Sequence, residues 1–350
     1  MKDKRISLSV LVVVGLLATT IVGLPLLLLS NLGCSLHIER NRRIPLSAGR
    51  TILDSTSNIQ NLWNISMLIP LDGIRAFNQN VYALDSACNE AVSLNVRNGE
   101  LLWSAVIPQP DTMELDEARN RIYVSGLPLT ALDSIKGDQI WFNTSLSFAK
   151  VGILMRLLDD GQLFVYASPD GRNFRVNSVN GEYETASKPP DIQAFIADGY
   201  FWKISQNALE RTSQNEPPEI WKSLYRKFTD CCLSQVKLVD DFVLVLFDQK
   251  IFALDRQDGH LKWRFDEAVT ASNFAANDTK VYVVDQNAKL YALDLGSGKV
   301  IETTQFAFPS KTAQSRGIYN SIFGTQLFFT DNILGVYFND LKILSAYSGL

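Results

Sequence analysis

Two histidines (His37, His260) and four cysteines (Cys34, Cys88, Cys231, Cys232) are all the imidazole and thiol that the 350 residues contain. Multi-histidine metal centres and a disulfide-dense scaffold are therefore out of reach. A single disulfide from Cys88 to one of the adjacent Cys231 and Cys232 remains open. Asp159-Asp160-Gly161 and Asp240-Asp241 resemble pieces of acidic metal loops, yet neither has the alternating oxygen ligands closing on Glu that calcium requires, and both read as hairpin turns. Asp85, Asp133, Asp255 and Asp294 could be offered as general acids. Their recurrence at one place in each of several like segments is what a structural role produces. His260 stands where Glu100, Asp138 and Lys299 stand in parallel segments, so it reads as an exposed turn residue. No serine elbow, phosphate loop or dinucleotide fingerprint is present.

These residues are carried by a repeat. Asn95 to Trp103, Asp133 to Trp141 and Asp255 to Trp263 each place Asp or Asn first, Gly four positions later and Trp eight positions later. Degenerate copies run from Asn177 through Gly181 to Thr185, from Ser213 through Pro217 to Trp221, and from Asp294 through Gly298 to Glu302. The glycine-type positions 99, 137, 181, 217, 259 and 298 are separated by 38, 44, 36, 42 and 39 residues, a period that suits four short strands. Runs such as Gln79–Leu84, Arg121–Val124, Gln162–Tyr166, Tyr200–Lys203, Phe242–Phe247, Lys280–Val284 and Gln326–Phe329 have the β-branched and aromatic content of strands. Gly99, Gly137, Gly259 and Gly298 supply the turns, while Trp103, Trp141, Trp221 and Trp263 are expected to pack between units.

The two ends complete each other. Ser345 to Gly349 imitates the turn but leaves no room for the strand that should come next, and Leu62-Trp63-Asn64 is a Trp strand with no unit before it. Pairing them predicts an all-β, seven-bladed β-propeller over residues 62–350, closed without a long free edge. Eight blades would need an unrecognised unit, for which the 298 to 349 interval has the most room.

Ahead of this ring, residues 1–38 read as a membrane anchor and 39–61 as a polar stalk. Lys2, Lys4 and Arg5 precede an apolar block from Val10 to Leu29, and no Asp, Glu, Lys or Arg occurs from Ile6 to Ile38. About twenty apolar residues span a bilayer, against roughly 7–15 for a cleaved signal's core, so an uncleaved transmembrane helix contacting the membrane through residues 6–32 is expected. Asn31 and Leu32 depart from the residues that lipidation at Cys34 would want. Arg40, Arg42 and Arg43 balance the basic start, so orientation rests on the ease with which long domains translocate, which favours an extracytoplasmic propeller. A net charge of -4 argues against a nucleic-acid partner held by phosphate neutralisation.

Strands of the form Val81-Tyr-Ala-Leu-Asp85, Ile251-Phe-Ala-Leu-Asp255 and Leu290-Tyr-Ala-Leu-Asp294, with the glycine turn and Trp, resemble the repeats of pyrroloquinoline-quinone-like β-propellers. The likeness covers about residues 60–350 and is weakest around Gly181 and Pro217. The family contains quinone-dependent dehydrogenases and non-enzymatic propellers such as the lipoprotein of the outer-membrane assembly machinery, and the second branch implies a protein-binding scaffold outside the cytoplasm. The first branch would give Cys231-Cys232 a cofactor role, with the quinone and calcium, but the pair falls late in the chain and no calcium ligands can be matched. No catalytic residue or cofactor is therefore assigned, and a small-ligand sensor using the axial channel shares the alternative. Departures from the repeat mark the candidate partner surface: Pro189-Pro190, Pro217-Pro218, the basic stretch with Arg226 and Lys227, and the insertion from Phe306 to Tyr319 with Lys311 and Arg316.

Overall fold

The computed structural model describes residues 59–66, 73–86, 88–147, 153–158, 160–167, 172–186, 195–197, 200–205, 208–212, 219–221, 233–247, 249–306, 325–338 and 343–349. The chain divides into Met1–Pro45 and Leu46–Leu350, and all described residues belong to the second unit. The expected membrane helix lies outside them, and among the described residues no helix is long and apolar enough to cross a membrane.

Every described element is a strand, and strands pair with their sequence neighbours because short turns return the chain antiparallel. The first is β1 (Gln60–Ser66). Sheet B is β2 (Gly73–Phe77), β3 (Asn80–Asp85), β4 (Glu90–Asn95) and β5 (Leu101–Val106). Sheet C is β6 (Met113–Asp116), β7 (Arg121–Val124), β8 (Leu129–Asp133) and β9 (Gln139–Asn143). Sheet D is β10 (Ile153–Leu157), β11 (Gln162–Ala167), β12 (Arg172–Asn177) and β13 (Tyr183–Thr185). Sheet E is β14 (Phe195–Ala197), β15 (Tyr200–Ser205), β16 (Ala208–Thr212) and β17 (Glu219–Trp221). Sheet F is β18 (Leu233–Val239), β19 (Phe242–Phe247), β20 (Lys250–Asp255) and β21 (Leu261–Phe265). Sheet G is β22 (Ala275–Ala276), β23 (Lys280–Val284), β24 (Lys289–Asp294) and β25 (Val300–Gln305). Sheet A gathers β26 (Gln326–Thr330), β27 (Ile333–Phe338) and β28 (Ile343–Ser348), and its fourth strand is β1.

β1 lies antiparallel to β28, from Gln60 opposite Ser348 to Ser66 opposite Ile343, so the two ends of Leu46–Leu350 share one sheet. First strands meet one another: β2 touches β26 and β6, β6 touches β10, β14 touches β18, and β22 touches β26. Side-chain amides reinforce that inner circle. Gln235 donates to the Phe274 carbonyl at 3.0 Å and accepts from its N–H at 2.8 Å, joining sheets F and G. Asn273 holds the Leu327 carbonyl and N–H in the same way at 3.0 and 2.6 Å, joining G and A.

The apolar core lies between sheets. Tyr82, Leu84 and Trp103 pack with Ile122, Val124 and Leu132 between B and C. Tyr123, Leu129 and Trp141 pack with Leu163, Val165 and Phe174 between C and D. Middle strands are consequently buried on both faces, as in β27, whereas the outer β5 and β9 each bury only their Trp. Phe306, at the head of the stretch expected to be an inserted loop, packs on Phe338 and Tyr347 in the G–A core. The Tyr-Ala-Leu-Asp segments also differ in position. Val81–Asp85 falls in a second strand, whereas Ile251–Asp255 and Leu290–Asp294 fall in third strands. Asp85 consequently caps the β3–β4 turn by accepting from the Cys88 N–H at 2.9 Å, away from any glycine turn.

Candidate functional site

Trp63, Trp103, Trp141 and Trp263 each reach the next sheet. The indole N–H of Trp63 donates to the Val96 carbonyl at 2.6 Å, that of Trp103 to Ser134 at 2.9 Å, that of Trp141 to Ser178 at 3.1 Å and that of Trp263 to Leu295 at 2.6 Å. Every acceptor lies three residues before a turn glycine, and the ring lies on that glycine. Gly137 has φ +77°, and a Cβ there would stand 2.6 Å from Trp103, so the turn needs a residue with neither side chain nor aversion to positive φ. Gly298 repeats the arrangement against Trp263 at 2.5 Å. Burial pushes the Tyr123 hydroxyl up to about 12, so it stays protonated and donates to Asp116 beside the Trp141 ring.

The aspartates of the glycine turns accept their own turn's N–H groups. Asp133 takes those of Ile135 and Lys136 at 2.9 and 2.8 Å, and Asp255 takes those of Gln257 and Asp258. His260 is exposed beside Asp258. Among the described residues no three His, Cys, Asp or Glu groups gather as metal ligands.

The outward halves of the Trp strands divide the ring. Leu102 and Val106 on β5, and Ile140 and Phe142 on β9, are exposed, with Phe142 at 54%. Ile135 and Val179, exposed at 61% and 53%, lie on the turns that receive Trp103 and Trp141. Because Trp103 bonds the residue preceding Ile135, Leu102 and Ile135 belong to one junction between B and C. Ile140, Phe142 and Val179 form the equivalent junction between C and D. At the F–G junction the same positions carry Lys262, Arg264 and Gly296. Lys262 is paired with Asp255 at 2.8 Å, and Arg264 is paired with Asp266.

The inner strands hold a second polar set. Arg75 lies opposite Tyr82, Glu114 opposite Tyr123, Arg156 opposite Phe164 and Lys237 opposite Leu244, one register position repeated through sheets B, C, D and F. Arg156 bonds Glu114 at 3.4 Å, and Glu114 also accepts the Leu157 N–H at 3.2 Å. Burial drives the Glu114 carboxyl above its ordinary range, against the pull of Arg156 and Arg75. Burial, with repulsion from Arg156, drives Arg75 down. None of these four residues stands in a motif.

Arg226, Lys227, Lys311, Arg316, Cys231 and Cys232 lie outside the described residues, as does Pro217, while Gly259 closes its turn through an N–H bond to the Asp255 carbonyl. Trp221 is on β17. Cys88 is disulfide-bonded.

Four-stranded sheets packed face to face around their first strands define a β-propeller. Residues 231–338 match the family model described as outer membrane protein assembly factor BamB, which supports the likeness of the repeats to those of pyrroloquinoline-quinone-like propellers. Virginiamycin B lyase from Staphylococcus aureus is similar over 83% of this chain and 100% of its own, at 11% identity and a TM-score of 0.58. The Cps50 (Swd1) β-propeller domain from Myceliophteria thermophila is similar over the same shares, at 11% identity and a TM-score of 0.59. BamB from Moraxella catarrhalis aligns over 83% of this chain and 97% of its own, at 14% identity and a TM-score of 0.46. The likenesses to the lyase and to the Cps50 domain are of fold. No curated protein matches the sequence.

Proposed function

We propose that the chain is a membrane-tethered, seven-bladed propeller that works as a non-catalytic protein-interaction scaffold on the extracytoplasmic side. The observation that carries the scaffold reading is the pair of apolar junctions on the outer rim. Leu102 with Ile135, and Ile140 and Phe142 with Val179, are held in place by Trp docks yet face away from the core. Exposed apolar side chains gathered on a rigid support mark protein contact surfaces. The match of residues 231–338 to the outer-membrane assembly factor model supports the same reading. Seven four-stranded sheets among the described residues, with β1 completing sheet A, support seven blades. The Cys88 disulfide supports an oxidising compartment, because such bonds persist outside the cytoplasm. Tethering rests on the apolar stretch within residues 6–32.

Crosslinking with mass spectrometry on native membranes, applied to the full chain, tests the reading. Ile140→Lys with Phe142→Glu is expected to abolish the partner crosslinks of the wild type, and crosslinks retained in full by this variant would overturn the scaffold role of the rim. Charge reversal at Arg226 and Lys227 asks whether the basic stretch joins the same surface, with reduced partner recovery as the expected result.

A further inference from the structure

The inner-strand register position shared by Arg75, Glu114, Arg156 and Lys237 carries three cations and one carboxylate. The carboxylate is already committed: Glu114 accepts from Arg156 and from the Leu157 N–H. Arg75 donates to the Ile74 carbonyl of its own strand at 3.0 Å, and among the described residues no carboxylate lies within ion-pair distance of it. A largely desolvated guanidinium without a counter-charge is costly, and folded proteins usually pair such groups. Here the two neighbours that Arg75 senses are a like charge and an acid held by that like charge. Sheets A and G offer no relief at the same level, since they place Phe328 and Ala275 there. A planar guanidinium fork matches the oxygens of a carboxylate or phosphate two at a time.

We propose that the inner strands of sheets B, C and D form a binding site for a small oxyanion, a carboxylate- or phosphate-bearing metabolite, with Arg75 as its principal ligand, Arg156 as the second and Glu114 as the group that limits affinity. The site lies on the first strands, whereas the apolar junctions lie on the fourth, so one can fail without the other.

Isothermal titration of the full chain in detergent, with inorganic phosphate and with citrate at constant ionic strength set by chloride, reads the site. Saturable binding of phosphate or citrate above the chloride background is expected, and whichever binds more tightly assigns the class. Arg75→Gln is expected to weaken that binding at least tenfold. Glu114→Gln, which removes the competing charge and keeps the shape, is expected to tighten it severalfold. Binding of neither anion, or equal affinities in wild type and Arg75→Gln, overturns the site. Should Arg75→Gln fail to fold, an affinity left unchanged or weakened by Glu114→Gln overturns it equally.

Discussion

The B–C–D rim and the F–G rim are built on one template and finished differently. In both, a Trp on the fourth strand turns inward, lays its ring on the next sheet's turn glycine and donates to the carbonyl three residues earlier. The outward neighbours of that Trp are Leu102 and Ser104 in sheet B, Ile140 and Phe142 in sheet C, and Lys262 and Arg264 in sheet F. Lys262 and Arg264 satisfy themselves locally through Asp255 and Asp266. The inward half of each strand answers to blade packing and is uniform, while the outward half is released from packing and can differ. Function is to be sought where the template leaves residues free.

The largest effects should erase the contrast. Trp103→Ala and Trp263→Ala each remove a buried ring and an indole hydrogen bond, and each should cost about 3–5 kcal/mol in denaturant unfolding. Gly137→Ala should be comparably damaging, because the new Cβ meets the Trp103 ring and the backbone has positive φ. Unequal losses at the two Trp positions would show that the rims differ in packing as well as in surface. A second experiment should sharpen the contrast: Phe142→Glu is expected to reduce partner recovery at least tenfold with stability within about 0.5 kcal/mol of wild type, as exposed substitutions usually are. Arg264→Glu, its counterpart on the other rim, should leave recovery unchanged. The smallest effect concerns acid. The hydrogen bond from Lys262, then those of the turn N–H groups, holds Asp255 below the usual carboxylate range. A depressed folded-state value gives stability that is present above the unfolded value near 3.9 and lost as pH falls below it. Asp255→Asn should therefore make the acid limb of the stability curve slightly shallower below about pH 4, and an unchanged limb would show that solvent screens the pair fully.

Local features carried most of the architecture into the sequence. A positive-φ turn position covered by an indole ring must be glycine, and a docking ring is best made from Trp, so Gly99, Gly137, Gly259 and Gly298 with Trp103, Trp141 and Trp263 announce the repeat wherever it stays regular. The place of Val81–Asp85 was less legible, because second and third strands share the same buried, β-branched and aromatic character and differ only in the turn at their C-terminal end. The inner-strand charges were not legible at all. Gly-Ile-Arg-Ala-Phe, Met-Glu-Leu-Asp and Ile-Leu-Met-Arg-Leu share no motif, and Arg75, Glu114 and Arg156 become neighbours only when three sheets are arranged about an axis. The outward residues beside each Trp were visible but silent, since exposure belongs to the assembled ring.

The enrolment of β1 in sheet A has a mechanical consequence. Tension on the chain upstream of Gln60 enters at the outermost strand, where it is first resisted by the ladder from Gln60–Ser348 to Ser66–Ile343 and by the grip of Trp63 on Val96. A pull strong enough to peel that strand would unlatch the circle at its periphery before disturbing the inner strands, leaving the remaining sheets to recapture the loose end once the pull relaxes.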